Sequence, residues 1–427
     1  MKDTIELFYE ILQIAVGTRK SLSCQPSEKE LVALYELSKK QALTAIAFAS
    51  LSKYLDSLGE ASPYAGGVRG SMVYLKWLGL TAKVAQRNRE VSAACVEQVK
   101  QYAHDGMSCS ILKGQGNLEY YPEDLRECRT PGDIDVWCAP QTPSGIDIAV
   151  ADLDGRGAHY EKYHDKQAVI EYVKMLWRLR NDNDDDNENY EIRYHHIDAP
   201  AINGIEVEAH FRPLFLDSPL RNWRLQRWFK ENEQFGVHDA KVGEYVFPTP
   251  TVSFNAVYQL CHIYRHLFDE GVGLRQLLDY YFVLRALHIE QGSLADRTES
   301  MAQWAEGMGI AVKNNTEIMH TLGRFGMKKF ASATMYVLQT VFAMPDEYLI
   351  CKPNEKEGKF LLNEIMLAGN FGKYDKRIKH GGTQTQHAWE KTKHNLRLLT
   401  HHPEEVLCEP FFRVYHWIWR RFELWRY

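Results

Sequence analysis

Asp133 and Asp135 stand two residues apart in the run Gly132-Asp133-Ile134-Asp135-Val136-Trp137. Side chains alternate across a strand, so both carboxylates share one face while Ile134 and Val136 enter the core on the other. Two carboxylates held close together repel unless a cation neutralises them, and hard oxygen donors favour Mg2+ or Mn2+. Upstream, Cys109, Ile111 and Leu112 suit a buried strand that stops at Lys113-Gly114-Gln115-Gly116. There the missing side chains let backbone N–H groups approach a phosphate, and Lys113 could add a point charge. Residues 117–121 suit a short helix whose N-terminus points at the same spot and adds its partial positive charge. A phosphate beside a divalent cation is the chemistry this stretch could support.

A strand, a glycine turn and a helix, followed by a strand carrying Asp-x-Asp, resembles the polymerase-β type nucleotidyltransferase superfamily. The finer pattern Leu112-Lys113-Gly114, Tyr121-Pro122, Arg129, then Gly132-Asp133-Ile134-Asp135 resembles its branch of largely uncharacterised bacterial nucleotidyltransferases. Gln115 departs from that superfamily's usual Gly-Ser or Gly-Gly pair. The resemblance implies an α+β fold, a small mixed-sheet nucleotidyltransferase core flanked by N-terminal and C-terminal helical segments. It implies a nucleoside triphosphate held with Mg2+ (or Mn2+), and transfer of a nucleoside monophosphate to an acceptor hydroxyl the sequence does not identify. Lys113, Gly114, Gln115, Gly116 and Arg129 would then bind the nucleotide, and Asp133 and Asp135 would bridge the ions.

The superfamily needs a third carboxylate from a strand beside the Asp-x-Asp strand. Residues 190–197 alternate, Asn203-Gly204 supplies a turn, and Ile205-Glu206-Val207-Glu208-Ala209-His210-Phe211 alternates back, which reads as a hairpin. Glu206, Glu208 and His210 share its polar face. The resemblance places the third carboxylate on Glu208, with His210 beside it, and leaves Glu206 as the alternative. Further on, Gly271-Val272-Gly273-Leu274-Arg275 opens a helix that carries Asp279 four residues after Arg275. By resemblance to nucleotidyltransferases with a helical second domain, Arg275 and Asp279 line or shape the nucleotide cleft; a surface or interdomain salt bridge is the other reading. If ions hold the aspartates, replacing either with Asn should leave the metal-free protein equally or slightly more stable, because crowded carboxylates repel.

The elements that must position these residues follow from hydrophobic period. Residues 5–16 and 28–51 recur at helical spacing, with Pro26-Ser27 announcing a helix, and a long helical pattern covers about 74–99. A helix is expected at 146–153, a strand at 158–163, a dense acidic loop at 181–188 and a short strand at 242–247. Pro248-Thr249-Pro250 then breaks the pattern, and helices follow from Val252. The expected division is 1–104 helical, 105–247 the nucleotidyltransferase core and 248–427 helical. The aromatic and basic tail Pro410–Tyr427 reads as a terminal helix docking into a core, with an interfacial membrane helix as the alternative.

With 427 residues and a formal net charge of -5, the chain can bury two or three cores and has no general reason to bind nucleic acid. Its eight cysteines are dispersed, with neither a CxxC nor a zinc-ligand spacing. No uncharged apolar run approaches spanning length, the start is not a signal peptide, and the cytoplasm is the expected compartment. Two rival functions are a non-catalytic nucleotide-binding protein and a metal-dependent phosphohydrolase using His262 and His266, which share a helix face at i, i+4.

Overall fold

A computed structural model describes residues 4–140, 165–180, 190–232, 237–295, 313–377 and 384–426. The expected helix at 146–153, strand at 158–163 and acidic loop at 181–188 lie outside these residues. Packing divides the chain into two units. One comprises Met1–Arg89, Tyr120–Thr130 and Val252–Pro403, and the other Glu90–Glu119, Pro131–Thr251 and Glu404–Tyr427.

The first unit is helical, and its helices form where the apolar period is 3.6. In the helix Thr4–Val16, Leu7, Phe8, Ile11 and Leu12 are fully buried, each contributing roughly 1.5–3 kcal/mol by leaving water. The next helix, Glu28–Lys40, opens on Ser27. Its side chain accepts from the Glu30 N–H while the Glu30 carboxylate accepts from the Ser27 N–H, a reciprocal cap of about 1 kcal/mol. Trp77 is buried and donates from Nε1 to the Thr44 carbonyl at 2.7 Å. Tyr258, Tyr280, Tyr281 and Phe282 fill the centre, on the helices Val252–Asp269 and Leu274–Ala295.

The second unit is built on a four-stranded mixed sheet: β1 (Met107–Ile111), β2 (Ile134–Pro140), β3 (His196–Ile202) and β4 (Ile205–His210), in the order β1-β2-β4-β3. β1 runs antiparallel to β2, β2 parallel to β4, and β4 antiparallel to β3. A parallel neighbour cannot be reached by a tight turn, and the helix Asp165–Arg180 lies on the connection between β2 and β3. It buries Ala168, Val169, Ile170 and Val173, and Trp177 donates to the Asp198 carbonyl at 2.8 Å. The fold class is thus α+β, with a small mixed sheet and helices towards both termini. No helix among the described residues is long and apolar enough to cross a membrane.

Local expectations were refined in three places. The strand read at 190–197 begins only at His196, although Asn203 (φ 51°) and Gly204 (φ 73°) do make the turn. The strand read at 242–247 is a hairpin, β5 (Val237–Val242) and β6 (Tyr245–Pro250), turning at Gly243 (φ 62°). Pro248 and Pro250 therefore lie inside a strand, tolerated because the hairpin is a separate two-stranded sheet with open edges. The segment after β1 is a 3-10 helix from Gly114 to Tyr120, starting on the glycines instead of after them. The tail forms the helix Pro403–Arg426, whose Phe412 stacks on Phe215 at 4.9 Å and meets Tyr194 edge-on at 5.1 Å. Phe411, Trp417 and Phe422 on its other side are exposed.

Candidate active site

Register carries the site. In the parallel pair β2–β4, Asp135 is the partner of Glu208 and Trp137 the partner of His210, so the polar residues of both strands stand on one face. Alternation places Asp133, just before β2, on that face too. The Leu112 N–H extends the β1–β2 ladder to the Asp135 carbonyl at 3.0 Å, which brings the next residue, Lys113, beside the Asp135 side chain. Its Nζ lies 3.1 Å from Asp135 Oδ2, and Asp135 is buried.

Among the carboxylates stands His210. Its Nε2 is 3.0 Å from Asp135 Oδ1 and 3.3 Å from Glu208 Oε2, and its Nδ1 is 3.3 Å from the Arg212 carbonyl. Burial works against a charged ring, but the hydrogen bonds to Asp135 and Glu208 outweigh it and push His210 up to about 9. Glu208 is raised by burial and lowered more by His210 and His196, ending below the usual range. Asp133 moves the other way. The charge of Asp135, then weakened hydration, hold its carboxyl above the ordinary value, although the residue keeps access to solvent. An imidazolium and an ammonium thus offset two of the three negative charges. That leaves Asp133 under repulsion, which a cation would relieve.

The ligand atoms of Asp135, Glu208 and His210 lie within 4.8 Å of one another, close enough to hold one ion. The two carboxylates of that group, Asp135 and Glu208, are oxygen donors that fit a hard divalent cation once His210 gives up its proton. Asp133 and Glu206, both exposed, are in no such group among the described residues.

Around the glycine turn the residues divide. Gly114 has φ 60°, a conformation that favours glycine. Gly116 is required for packing: a Cβ there would lie 2.5 Å from the Ile111 carbonyl oxygen. Its N–H is used within the turn, donating to the Lys113 carbonyl at 3.0 Å. Gln115 is buried and donates to Ser92 Oγ at 2.8 Å.

Within the helical unit, Arg129 forks onto Asp279, Nε to Oδ1 and Nη2 to Oδ2 both at 2.8 Å, and the Tyr121 hydroxyl donates to the same Oδ1 at 2.6 Å. Arg275 donates to the Thr130 carbonyl at 2.9 Å and lies over the Phe371 ring. His262 and His266 touch through their Nε2 atoms at 3.0 Å, and among the described residues no metal-capable group of three includes them.

Sequence reasoning passed over His195, His196 and Asp198. His196 Nδ1 is 3.2 Å from Glu208 Oε2 and 3.1 Å from His195 Nε2, and its Nε2 is 3.6 Å from Asp198 Oδ1. The adjacent His195-His196 pair, one hairpin away from the Glu208 strand, was the signal available.

A family described as uncharacterised nucleotidyltransferase has a model that matches residues 27–307, more than half of the chain. No curated protein and no solved structure matches it.

Proposed function

Because the chain belongs to the uncharacterised nucleotidyltransferase family and is accordingly a transferase of phosphorus-containing groups, we propose that it moves a nucleoside monophosphate from a nucleoside triphosphate to an acceptor hydroxyl, with Mg2+ or Mn2+ held by Asp133, Asp135 and Glu208. The observation that carries this reading is the pairing of Asp135 with Glu208 across parallel strands, on the face that also holds Asp133. When bound, such ions stabilise the attacking and leaving oxygens of an in-line displacement. Glu208, lowered and therefore ionised near neutrality, is the group to accept the acceptor's proton. Lys113, once an ion replaces it at Asp135, is placed to meet the triphosphate, with the backbone around Gly114, Gln115 and Gly116 as its cradle. Arg129 and Arg275, which the resemblance puts at the nucleotide, hold Asp279 and the Thr130 carbonyl. In this reading they hold residues 129–130 within the helical unit.

The test uses nucleoside triphosphates labelled at the α-phosphate, with Mg2+ or Mn2+ and a cell extract. Label transferred to an acceptor, with pyrophosphate released, supports the reading. Release of inorganic phosphate alone would favour the phosphohydrolase, and nucleotide binding without any labelled product the non-catalytic alternative.

A further inference from the structure

Next to the carboxylate cluster lies a cavity of about 670 Å³, walled by the helix Pro219–Asn232, the terminal helix Pro403–Arg426 and the chain just before β3 and just after β4. Tyr194 stands two residues before His196 and Arg212 two residues after His210, and both line it. Two residues of extended chain span only about 7 Å. The pair is joined across the strands: Arg212 Nη1 donates to the Tyr194 carbonyl at 3.4 Å, and its guanidinium lies 4.8 Å over the Tyr194 ring. The His195 ring packs at 5.2 Å on both His210 and Phe215, and Phe215 stacks at 4.9 Å on Phe412 of the cavity wall. Wall and cluster are therefore continuous.

The volume suits a small molecule. Five rings line the cavity, Tyr194, Trp223, Phe411, Phe412 and Tyr415, and Trp223, Phe411 and Tyr415 are each more than half exposed. Open aromatic faces around a concave wall offer stacking surface and attract cations. Charge sets the sign of the ligand. Asp217, 1 % exposed, is part of the wall, and its N–H donates to the buried Glu405. Glu404 accepts from the Ser218 hydroxyl and pairs with Arg221. These three carboxylates outnumber the guanidiniums of Arg212 and Arg221. Cys408, in the same wall, registers the field: burial, then Glu405 and Glu404, push its thiol above the ordinary value against Arg221. The wall is also fixed in advance, since Gln226 donates to the Leu214 carbonyl at 2.8 Å and the Leu216 N–H to Asn222 at 3.2 Å, on either side of the residue that leads to Asp217.

We propose that this cavity binds the acceptor, a small molecule that carries a protonated amine on a flat ring and presents a hydroxyl. Its amine meets Asp217 and the aromatic rim. In the transfer, its hydroxyl oxygen bonds to the α-phosphorus as the bond to pyrophosphate breaks, and its proton passes to Glu208. The role of acceptor rests on the nucleotidyl transfer proposed above, whereas the binding does not.

Three phenols of like size and different charge are the probes: tyramine, para-ethylphenol and para-hydroxyphenylpropionate. Each is titrated calorimetrically into the full chain in chelator, without nucleotide. Tyramine should bind at least about ten-fold tighter than para-ethylphenol, and the propionate most weakly. Asp217→Asn should erase that preference, and Phe411→Ala should weaken tyramine by about five-fold or more. Phe422→Ala, on an exposed ring of the same helix that does not line the cavity, should leave binding unchanged. Circular dichroism and melting check each fold; Phe411 is 78 % exposed, so Phe411→Ala keeps the test open if Asp217→Asn fails to fold. No saturable binding of tyramine up to about 10 mM would overturn the proposal. Equal binding of the three probes, or tyramine binding indifferent to both variants, would do the same. A second arm adds tyramine to the extract assay with labelled nucleoside triphosphate and Mg2+. Labelling of the extract's acceptor should fall, and Phe411→Ala should relieve the inhibition. Labelling that persists at saturating tyramine would overturn the acceptor role. No labelling even without tyramine would defeat the transfer itself, and with it the acceptor role, while the calorimetry still decides the binding site.

Discussion

His210 Nε2 stands 3.0 Å from Asp135 Oδ1 across the parallel pair β2–β4, with both side chains buried. This contact, with Lys113 on the other oxygen, makes the two aspartates unequal. Asp135 is held by two cations, whereas Asp133 is under the repulsion of Asp135.

The sequence alone predicts the same behaviour for both Asn variants in the metal-free state, and the geometry corrects that. Asp135→Asn strands a buried imidazolium and an ammonium, and should lower unfolding free energy by about 3 kcal/mol. Asp133→Asn removes a repelled charge and should be neutral or slightly stabilising. Both should cut transfer about a hundred-fold or more. Urea unfolding in chelator, with a transfer assay alongside, checks the pair; equal destabilisation by the two variants would contradict the assignment of His210 and Lys113 to Asp135.

Glu208 and Glu206 make a second comparison. Glu208→Gln removes a carboxylate that is the register partner of Asp135, while Glu206 is exposed towards the turn. Transfer should collapse with Glu208→Gln and stay within about two-fold of the parent with Glu206→Gln. Loss with Glu206→Gln alone would hand the third-carboxylate role to that residue.

The pH dependence of stability follows from His210, pushed up to about 9 in the folded protein from an ordinary 6.5. A group whose folded value is raised contributes stability that is complete below the unfolded value and lost as pH climbs through the folded one. In chelator, melting temperature should therefore decline between about pH 6.5 and pH 9.5, for a loss on the order of 3 kcal/mol. His210→Gln should flatten that part of the profile. An unchanged slope in the variant would place the titrating group elsewhere.

Arg129 and Asp279 are buried, and each satisfies the other through two hydrogen bonds. Removing one partner leaves an unpaired buried charge, so Arg129→Ala or Asp279→Ala should cost about 3–5 kcal/mol. Because Tyr121 also donates to Asp279, Asp279→Ala should be the worse of the two. Denaturant unfolding of the single variants and the double variant measures the coupling. Full stability of Arg129→Ala, with only nucleotide affinity reduced, would return this arginine to the nucleotide.

The Asp-x-Asp face, the glycine turn after β1 and the helix start at Ser27 were legible in the sequence because each depends on residues a few positions apart. Alternation alone aims Asp133 and Asp135 at one point, and the same rule put Glu208 and His210 together. Partner choice over long separations was not legible. Spacing put Arg275 and Asp279 on one face of a helix and left the partner of a salt bridge unnamed; the fold supplies Asp279 with Arg129, 150 residues away, in a buried bidentate pair. The histidines show the limit most clearly. Counting back from the Asn203-Gly204 turn, with Ile202 opposite Ile205, pairs Asp198 with Ala209 on the apolar face. In the structure a register shift between Ala199 and Ile202 pairs Asp198 with Glu208 and His196 with His210. A slip of one residue turns a strand's side chains to the opposite face, and what fixes it is the packing of β3 against β4 and the helix Asp165–Arg180. The sequence by itself determined which strands carry the carboxylates. Only the tertiary structure decided that three histidines stand beside them, because register belongs to the assembled sheet and not to any one strand.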